Sequence, residues 1–338
     1  MSSQTGAIIT QTGPHWQVLQ ADAVTSLEEL GELLDLQWPA PEKAREADRQ
    51  FPLRIPRCYV RRMRRGDPED PLLRQVLAAG AEMDEAPGYG VDPVGEGDAS
   101  PVPGVLHKYR GRALLMVTGA CAVHCRYCFR RHFPYEEHTP APQRLEQALA
   151  WLAGREEIEE VILSGGDPLS LTDRRLAELV NRLAEIPHLR RLRIHSRLPV
   201  VIPERITGEL VALLGDARWQ SVLVLHANHA RELVAPLDSG VARLRGAGVQ
   251  LFNQAVLLAG VNDTVAAQDA LARALFDTGV LPYYLHQLDP VAGAAHFQVP
   301  DRQARDLHRQ LRGRLPGYLV PELVREIAGE DAKTPLFR

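Results

Sequence analysis

Short apolar runs recur along the chain from residue 112 onward, and stretches with helical periodicity separate most of them. Six such runs are RALLMVT (112–118), EEVILSG (159–165), LRIHS (192–196), SVLVLHA (221–227), VQLFNQAVL (249–257) and LPYYLHQL (281–288). Apolar runs that alternate with helices indicate consecutive βαβ units and therefore a parallel sheet. Because a closed barrel of this type has eight strands, the pattern predicts an α/β fold with an incomplete (βα)6 TIM-like barrel.

The N-terminal part of the chain follows another pattern and predicts a mainly helical cap with a loop over 1–105. SLEELGELLDL is typical of an amphipathic helix that begins with a capping box at Ser26 and Glu29. PLLRQVLAAGAEM predicts a second helix, and APGYGVDPVGEGDASPVPG predicts a long loop. We expect the cap to be peripheral, the barrel to span 106–300, and a C-terminal segment to span 301–338.

Composition and charge narrow the classes of partner. The formal net charge of −4 gives no electrostatic reason to expect nucleic acid or an anionic membrane as a partner. No run approaches the length of a membrane span, and MSSQTGAIITQTG lacks the features of a signal peptide. We therefore expect a cytoplasmic protein, in which clustered cysteines more often hold metal than form a disulfide.

The segment TGACAVHCRYCFRRHFPY directly follows the first predicted barrel strand and contains Cys121, Cys125 and Cys128. In a parallel barrel, reactive groups belong in loops at the carboxyl ends of strands. A 4Fe–4S cluster takes one protein ligand per iron, so three thiolates leave one iron open to an exogenous ligand.

A zinc site is the alternative for these cysteines. Its fourth ligand would be His124, His132 or Cys58. Zinc sites more often contain two separated ligand pairs, and the sequence has no second pair. The spacing therefore favours the iron–sulfur cluster.

The Cys-x3-Cys-x2-Cys spacing resembles the signature of the radical S-adenosylmethionine (SAM) enzymes. The resemblance implies a partial barrel of the radical SAM type, in which the open iron binds SAM and electron transfer yields a 5′-deoxyadenosyl radical. It also implies that Tyr127 packs on the adenine and that Gly165, Gly166 and Asp167 of SGGDPL contact the methionyl group. Read by itself, SGGDPL is a favourable turn sequence.

Further stretches resemble the lysine 2,3-aminomutase family, in the same order from about residue 90 to 335. They are SPVPGVLHKYRGRALLMVTGACAVHCRYCFRRHF, HSRLPVVIPERIT, HANH, NQAVLLAGVND and PYYLHQLDPVAGAAHF. The CRYCFRRHFPY wording and the AKTPLFR ending are most similar to the branch of the family that serves elongation factor P. The resemblance implies that L-α-lysine becomes (R)-β-lysine, which a separate ligase attaches to elongation factor P. In that reaction the radical takes hydrogen from C3 of lysine bound to pyridoxal phosphate, and the amino group migrates from C2 to C3.

Pyridoxal phosphate requires a lysine amine, and the chain contains only Lys43, Lys108 and Lys333. The resemblance assigns the cofactor to Lys333, although the preceding AGEDA replaces a glycine-rich loop of clostridial-type relatives. It assigns the cofactor phosphate to Arg112 and, where relatives have a second arginine, to Lys108. The alternative for Lys108 and Arg112 is ordinary surface charge.

The resemblance also implies groups that bind the substrate and SAM. Arg130 matches the position that binds the substrate α-carboxylate, while Asp289 and Glu326 match the pair that binds the ε-ammonium group. For Glu326, a helix-surface glutamate in PELVREIAG is the alternative. Three further residues are assigned to SAM, with buried polar side chains satisfied by the backbone as the alternative: His226, Asn228 and Gln254.

Three other functions stay open at this point. One is an aminomutase for another amino acid, such as glutamate, whose acidic side chain would need a cation where Asp289 stands, because like charges repel. A radical enzyme without pyridoxal phosphate, acting on nucleic acid or protein, is disfavoured by the net acidity and the Lys333 ending. A non-catalytic iron–sulfur or zinc barrel would need neither cofactor pattern. We expect L-lysine as a small-molecule substrate and a functional link to elongation factor P and its ligase; a homo-oligomeric state stays open.

Overall fold

The computed structural model describes residues 15–36, 40–138 and 142–336. Residues 1–14 and 37–39 of the predicted cap, and the last two residues of the AKTPLFR ending, lie outside the described residues. No helix within the described ranges is long and apolar enough to cross a membrane.

Among the described residues, a nine-stranded sheet forms the centre of the molecule, and its strands follow one another in chain order from β3 to β11. The strands are β1 (Ala23–Val24), β2 (Ile55–Pro56), β3 (Val105–Tyr109), β4 (Arg112–Thr118), β5 (Glu160–Gly165), β6 (Arg191–Ser196), β7 (Gln220–Leu225), β8 (Gln250–Val256), β9 (Leu281–His286), β10 (Glu322–Arg325) and β11 (Thr334–Pro335). Strands β4 to β10 are parallel, whereas β3 and β11 pair antiparallel at the two edges. Within these ranges no pairing joins the two edges, so the prediction of an incomplete barrel is confirmed.

The six predicted strands are β4 to β9, and six helices complete the βαβ units. The helices are α1 (His15–Ala21), α2 (Leu27–Leu34), α3 (Glu42–Gln50), α4 (Arg57–Val60), α5 (Pro71–Arg74), α6 (Tyr135–His138), α7 (Pro142–Ala153), α8 (Asp173–Ala184), α9 (Leu198–Val201), α10 (Gly208–Leu214), α11 (Leu237–Gly246), α12 (Val265–Thr278) and α13 (Asp301–Arg314). Helices α7, α8, α10, α11, α12 and α13 each connect two successive parallel strands. Strand β10 was not predicted and adds a seventh parallel strand.

Helix α8 shows why the connecting segments are helical. The Thr172 side chain accepts a hydrogen bond from the Arg175 backbone nitrogen and caps the helix. Its buried residues recur at helical spacing, at Leu176, Leu179, Val180 and Leu183. Burial of each leucine contributes about 2 kcal/mol. The apolar side of the helix therefore packs against the sheet.

The two faces of the sheet differ in polarity because successive strand residues point to opposite sides. On β4, Ala113, Leu115 and Val117 belong to the main core, whereas Arg112 and Thr118 are only partly buried on the other face. The same alternation leaves polar side chains on this second, concave face, including His195, His226, Gln254, Tyr284 and His286. The concave face is therefore the side of the sheet that can receive a ligand.

Two predictions for the cap have different outcomes. Ser26 accepts a hydrogen bond from the Glu29 backbone nitrogen at 3.3 Å at the start of α2, so the capping box places the helix start correctly. The predicted helix PLLRQVLAAGAEM is wrong in length, because α5 ends at Arg74 and only a short 3-10 turn follows at Gly80–Met83. Gln75, directly after α5, is fully buried and turns its side chain into the interior.

Candidate active site

The cysteine loop, residues 119–134, follows β4 and lies against the end of β5. Gly165 has φ of +125°, and a Cβ there would lie 2.4 Å from the Thr118 oxygen. A Cβ at Gly166 would lie 2.5 Å from the Ala120 oxygen. The two glycines of SGGDPL are therefore needed for the close approach of β5 to the start of the cysteine loop.

Asp167 joins the ends of two strands. Its carboxylate accepts hydrogen bonds from the Ser196 hydroxyl at 2.6 Å and from the backbone nitrogens of Arg197 and Leu198 at 2.8 and 2.9 Å. It also accepts one from the Leu169 nitrogen at 3.0 Å. The side chain is thus occupied within the protein, and the predicted contact of this element with SAM stays a prediction.

The alternative fourth ligands for zinc are engaged elsewhere. His124 Nδ1 lies 2.7 Å from the Pro52 oxygen, and His132 Nε2 lies 3.2 Å from the Ala292 oxygen. The Cys58 thiol donates to a backbone oxygen at 3.7 Å. In the described part of the chain, no three His, Cys, Asp or Glu side chains form a group that could hold a single metal ion. A 4Fe–4S cluster binds each thiolate to a different iron, so this arrangement fits a cluster better than zinc.

The cap holds the cysteine loop through buried charges, so the expectation of a peripheral cap is wrong. Arg126 donates to Glu82 from Nε and Nη2 at 2.8 and 2.6 Å. Arg131 donates to the same carboxylate at 2.8 Å. Arg126 also donates to the backbone oxygens of Ala47 and Phe51 at 3.1 and 2.5 Å. The conformation of the loop therefore depends on residues that precede the barrel.

A second group of charges lies at the carboxyl ends of β9 and β10. Lys333 and Lys108 donate to the two oxygens of Glu326 at 2.7 and 2.8 Å. Asp289 is close enough for the charges of Glu326, Lys333 and Lys108 to influence its pKa. Its Oδ1 has no hydrogen-bond partner within the described ranges. Glu326 directly follows β10, so the alternative of a helix-surface glutamate is wrong.

Burial and neighbouring charges set the protonation of the two carboxyl groups. Burial, together with the nearby Glu326 charge, raises the pKa of Asp289 to about 7, although Lys333 and Lys108 act against this shift. Burial also acts to raise the pKa of Glu326, but Lys333 and Lys108 outweigh it and hold that pKa at about 2. Glu326 is therefore ionised at neutral pH, whereas Asp289 titrates near it.

The predicted phosphate ligands lie near this group. The Arg112 guanidinium stacks on Tyr109, with 4.6 Å between Cζ and the ring centroid. Lys333 Nζ lies 5.8 Å from the Tyr284 ring centroid. Lys108 also donates to the Val94 oxygen at 2.8 Å. A cation pair, an aromatic face and a lysine amine thus occur together on the concave face.

Arg130, the predicted ligand of the substrate carboxylate, is already paired. Its Nε and Nη2 donate to the two oxygens of Glu96 at 2.7 and 2.6 Å, and Nη1 donates to Ser164 at 2.8 Å. Glu96 comes from the long loop of the cap and is 5% exposed. A substrate carboxylate at this position would therefore share or replace the contact with Glu96.

The residues predicted to bind SAM form a polar group beside the cysteine loop. Asn228 Nδ2 donates to the Tyr127 hydroxyl at 2.7 Å and to Gln75 Oε1 at 3.0 Å. His226 is half-buried, and its Nε2 is a buried atom with no partner among the residues described. Gln254 lies on the concave face of β8. Tyr127 packs against a small apolar cluster of Leu258, Val261, Leu288, Val291, Ala294 and Phe297.

Comparisons with known proteins identify the family. Residues 115–264 match the model of the radical SAM superfamily. The chain is 51% identical to "L-lysine 2,3-aminomutase" of Escherichia coli (strain K12), over 97% of this chain and 96% of that protein. The chain belongs to the lysine 2,3-aminomutase family. A Haemophilus influenzae relative of the same name is 46% identical over 95% of both chains, and one from Clostridium subterminale is 36% identical over 95% of this chain and 77% of its own.

Membership of this radical SAM family makes the protein an isomerase that uses a 4Fe–4S cluster and SAM. The side chains fit these groups, because Cys121, Cys125 and Cys128 are half-buried free thiols on one short loop, and thiolates are the usual ligands of such a cluster. The unpartnered His226 Nε2 is a buried polar atom that a ligand can satisfy.

Sequence reasoning missed the carboxylates that orient the arginines of this lysine 2,3-aminomutase family member. Glu82 and Glu96 are buried and come from a region predicted to be peripheral. Glu232 is fully buried as well and follows β7. The only signal was the RR pair after Cys128, since buried arginines require acidic partners.

Proposed function

We propose that the protein is a lysine 2,3-aminomutase that converts L-α-lysine to (R)-β-lysine, with pyridoxal phosphate held by Lys333. The observation that carries this proposal is the meeting of Lys333, Lys108, Glu326 and Asp289 on the same concave face that the cysteine loop borders. A non-catalytic iron–sulfur barrel would have no need for a lysine amine and a titrating carboxyl group at this place.

When bound, the cluster with SAM supplies a radical that abstracts hydrogen, and pyridoxal phosphate supplies an aldehyde that carries the amino group between carbons. Cys121, Cys125 and Cys128 hold the cluster. Arg112 and Lys108 supply positive charge for the cofactor phosphate, a dianion that favours cations. Tyr284 provides an aromatic surface next to Lys333.

Glu326 orients the lysine amine. Its Oε2 accepts from Lys333 Nζ at 2.7 Å, so the amine is directed toward the ends of β9 and β10. Because the pKa of Glu326 is about 2, this carboxylate stays ionised at neutral pH and remains a hydrogen-bond acceptor for Nζ. Asp289, with a pKa of about 7, is the carboxyl group of this site that changes its protonation near neutrality.

The charges favour lysine over glutamate as substrate. Asp289 has a buried oxygen without a partner in the described ranges, which suits the ε-ammonium group of lysine. A glutamate side chain would bring a third carboxylate beside Asp289 and Glu326, and like charges in a buried site repel. Arg130, oriented by Glu96, is the donor for the α-carboxylate.

The finer assignments belong to the same proposal. We infer that Tyr127, His226, Asn228, Gln254 and the SGGDPL backbone bind SAM, and that the product supplies the modification of elongation factor P. The resemblance of CRYCFRRHFPY and AKTPLFR supports that link. We also infer a cytoplasmic location and the division into cap (1–105), barrel (106–300) and C-terminal segment (301–338), with the cap as part of the site.

An anaerobic assay tests the proposal. The full chain is reconstituted with iron, sulfide and pyridoxal phosphate, and reductant, SAM and isotopically labelled L-lysine are added. β-Lysine detected by mass spectrometry is the expected result, and chiral derivatisation identifies its configuration. Deoxyadenosine without β-lysine would retain the radical chemistry but contradict the substrate. Neither product from a protein with a complete cluster would contradict the enzyme assignment.

A further inference from the structure

Gln75 is a fully buried glutamine of the cap that lies directly after α5. Both polar atoms of its side-chain amide make hydrogen bonds within the protein. Nε2 donates to the Pro71 oxygen at 2.9 Å and to Glu232 Oε1 at 3.0 Å. Oε1 accepts from Arg197 Nη2 at 2.8 Å and from Asn228 Nδ2 at 3.0 Å. Because acceptors face the nitrogen and donors face the oxygen, only one orientation of the amide satisfies these groups.

Glu232 holds this orientation from the segment that follows β7. Its carboxylate is fully buried, and Oε1 also accepts from the backbone nitrogens of Asn228 and His229 at 3.1 Å each. Oε2 accepts from Arg197 Nη2 at 3.2 Å. A buried carboxylate that is paired with a cation and hydrogen-bonded in this way is costly to rearrange. The cap and the segment after β7 are therefore joined by a rigid polar network.

The network reaches the cysteine loop at Tyr127. Asn228 Nδ2 donates to the Tyr127 hydroxyl at 2.7 Å, and that hydroxyl lies 3.5 Å from Gln75 Oε1. Asn228 Oδ1 accepts from the Val256 nitrogen at 2.8 Å, which fixes the amide of Asn228 as well. The Gln75 backbone oxygen accepts from the nitrogen of Arg126, the residue before Tyr127, at 2.9 Å. Gln75 thus holds Tyr127 at both ends, at the main chain and at the hydroxyl.

We propose that Gln75 is a positioning residue for SAM, which keeps the Tyr127 ring in the orientation that packs on the adenine. The inference rests on the proposed function, in which Tyr127 makes that contact. Gln75 itself is fully buried and its amide is occupied, so it acts through Tyr127 and Asn228 rather than by binding the cofactor.

The other contacts of Tyr127 are less directional. Its ring packs edge-on against Phe297, with 6.3 Å between the ring centroids. Apolar packing of this kind does not fix direction as a hydrogen bond does. A ring that is already oriented spends less of the binding energy of a ligand on ordering. Loss of the Gln75 amide should therefore weaken SAM binding.

Anaerobic isothermal titration calorimetry of SAM with the reconstituted full chain tests the inference. Gln75→Met keeps the length of the side chain but removes the amide. We expect the Kd for SAM to rise about threefold to tenfold, the range for loss of one neutral hydrogen bond. Iron content, and KM for lysine at saturating SAM, should stay at the parent's values.

Leu30→Ala is the control for a purely structural role of the cap. Leu30 is a fully buried apolar residue of α2. Its truncation should lower the free energy of unfolding and leave the Kd for SAM unchanged. An equal rise in Kd for Leu30→Ala and Gln75→Met would overturn the inference.

A double-mutant cycle tests the route through Tyr127. Tyr127→Phe removes only the hydroxyl that Asn228 and Gln75 hold. Gln75→Met should therefore raise the Kd for SAM less in the Tyr127→Phe background than in the parent. Equal effects in the two backgrounds would show that Gln75 does not act through this hydroxyl.

The remaining outcomes separate the inference from the proposed function. An unchanged Kd for SAM in Gln75→Met would overturn the role of Gln75. If Gln75→Met does not fold, Gln75→Asn decides, because it keeps an amide but draws it away from Asn228 by the length of a carbon–carbon bond. A raised Kd in Gln75→Asn supports the inference, and the parent's Kd overturns it. A parent protein that carries a complete cluster but binds no SAM would instead contradict the proposed function.

Discussion

The cysteine loop and the Lys333 group both depend on buried or half-buried ion pairs, but the pairs differ in exposure. The side chains of Arg126 and Glu82 beside the cysteines are 0% and 1% exposed. Those of Lys333 and Glu326 are 21% and 18% exposed. A fully buried pair cannot be broken without leaving a charge uncompensated, whereas a partly exposed pair can exchange partners with a ligand. The comparison indicates that the cysteine loop is held in one conformation before any cofactor binds, whereas a ligand can replace the contacts within the Lys333 group.

The largest expected effect is loss of the cluster when a cysteine of the cysteine loop is replaced. Cys128→Ala should abolish the cluster, because each cysteine binds a different iron. Iron content and the electron paramagnetic resonance signal are the measurements, and β-lysine formation should fall below detection. Cys58→Ala is the matched control, since Cys58 lies outside the loop and donates to a backbone oxygen. A normal cluster in Cys128→Ala would contradict the ligand assignment.

Lys333→Ala should affect the Lys333 group and leave the cysteine loop intact. Removal of the amine should eliminate the absorbance of bound pyridoxal phosphate and β-lysine formation, while iron content stays at the parent's value. Lys43→Ala is the control, because the Lys43 side chain is 67% exposed and pairs with Asp84 on the surface. Bound cofactor of normal absorbance in Lys333→Ala would show that another group holds it.

Glu82→Gln tests the rigidity of the cysteine loop. The change leaves the buried Arg126 and Arg131 without a carboxylate, and removal of one partner from a buried pair costs about 3–5 kcal/mol. Denaturant unfolding of the full chain measures this loss. Glu28→Gln, which breaks the exposed pair with Arg45, should cost much less. Equal losses for the two variants would remove the distinction between the regions.

Asp289→Asn should weaken lysine binding with little change in the cluster. Loss of a charge-assisted hydrogen bond to the ε-ammonium group is worth about 1.5–3 kcal/mol, which corresponds to a rise in KM for lysine of about tenfold to hundredfold. Steady-state kinetics with lysine as the varied substrate measure it. An unchanged KM would mean that Asp289 does not bind the ε-ammonium group and that Glu326 alone does.

The smallest expected effect is a dependence of stability and of KM for lysine on pH. The pKa of Asp289 is raised from 3.8 to about 7, so the folded state disfavours its ionised form. Its contribution to stability is therefore complete below pH 4 and is lost as pH rises through about 7. Ionisation over the same interval should lower KM for lysine. Both pH dependences should be absent in Asp289→Asn, and their persistence would assign them to another group.

Much of the fold could be predicted because the signals are local. Strands β4 to β9 carry apolar runs bounded by helical stretches, and their bounds agree with the prediction within a few residues. Strand β10 was not predicted, because Leu323, Val324 and Ile327 in its segment also fit helical spacing. Pairing with β9, at Glu322 with Tyr284 and the two pairs that follow, decides in favour of a strand.

The sequence by itself determined the cysteine spacing, the alternation of strands and helices, and the few lysines from which a cofactor amine could come. These features depend on residues close together in the chain. Only the tertiary structure decided which charge meets which, because Glu82 lies 44 residues before Arg126, and Lys108 lies 218 residues before Glu326. Burial removes these charges from water and makes such pairs specific, and no local pattern records a partner that distant.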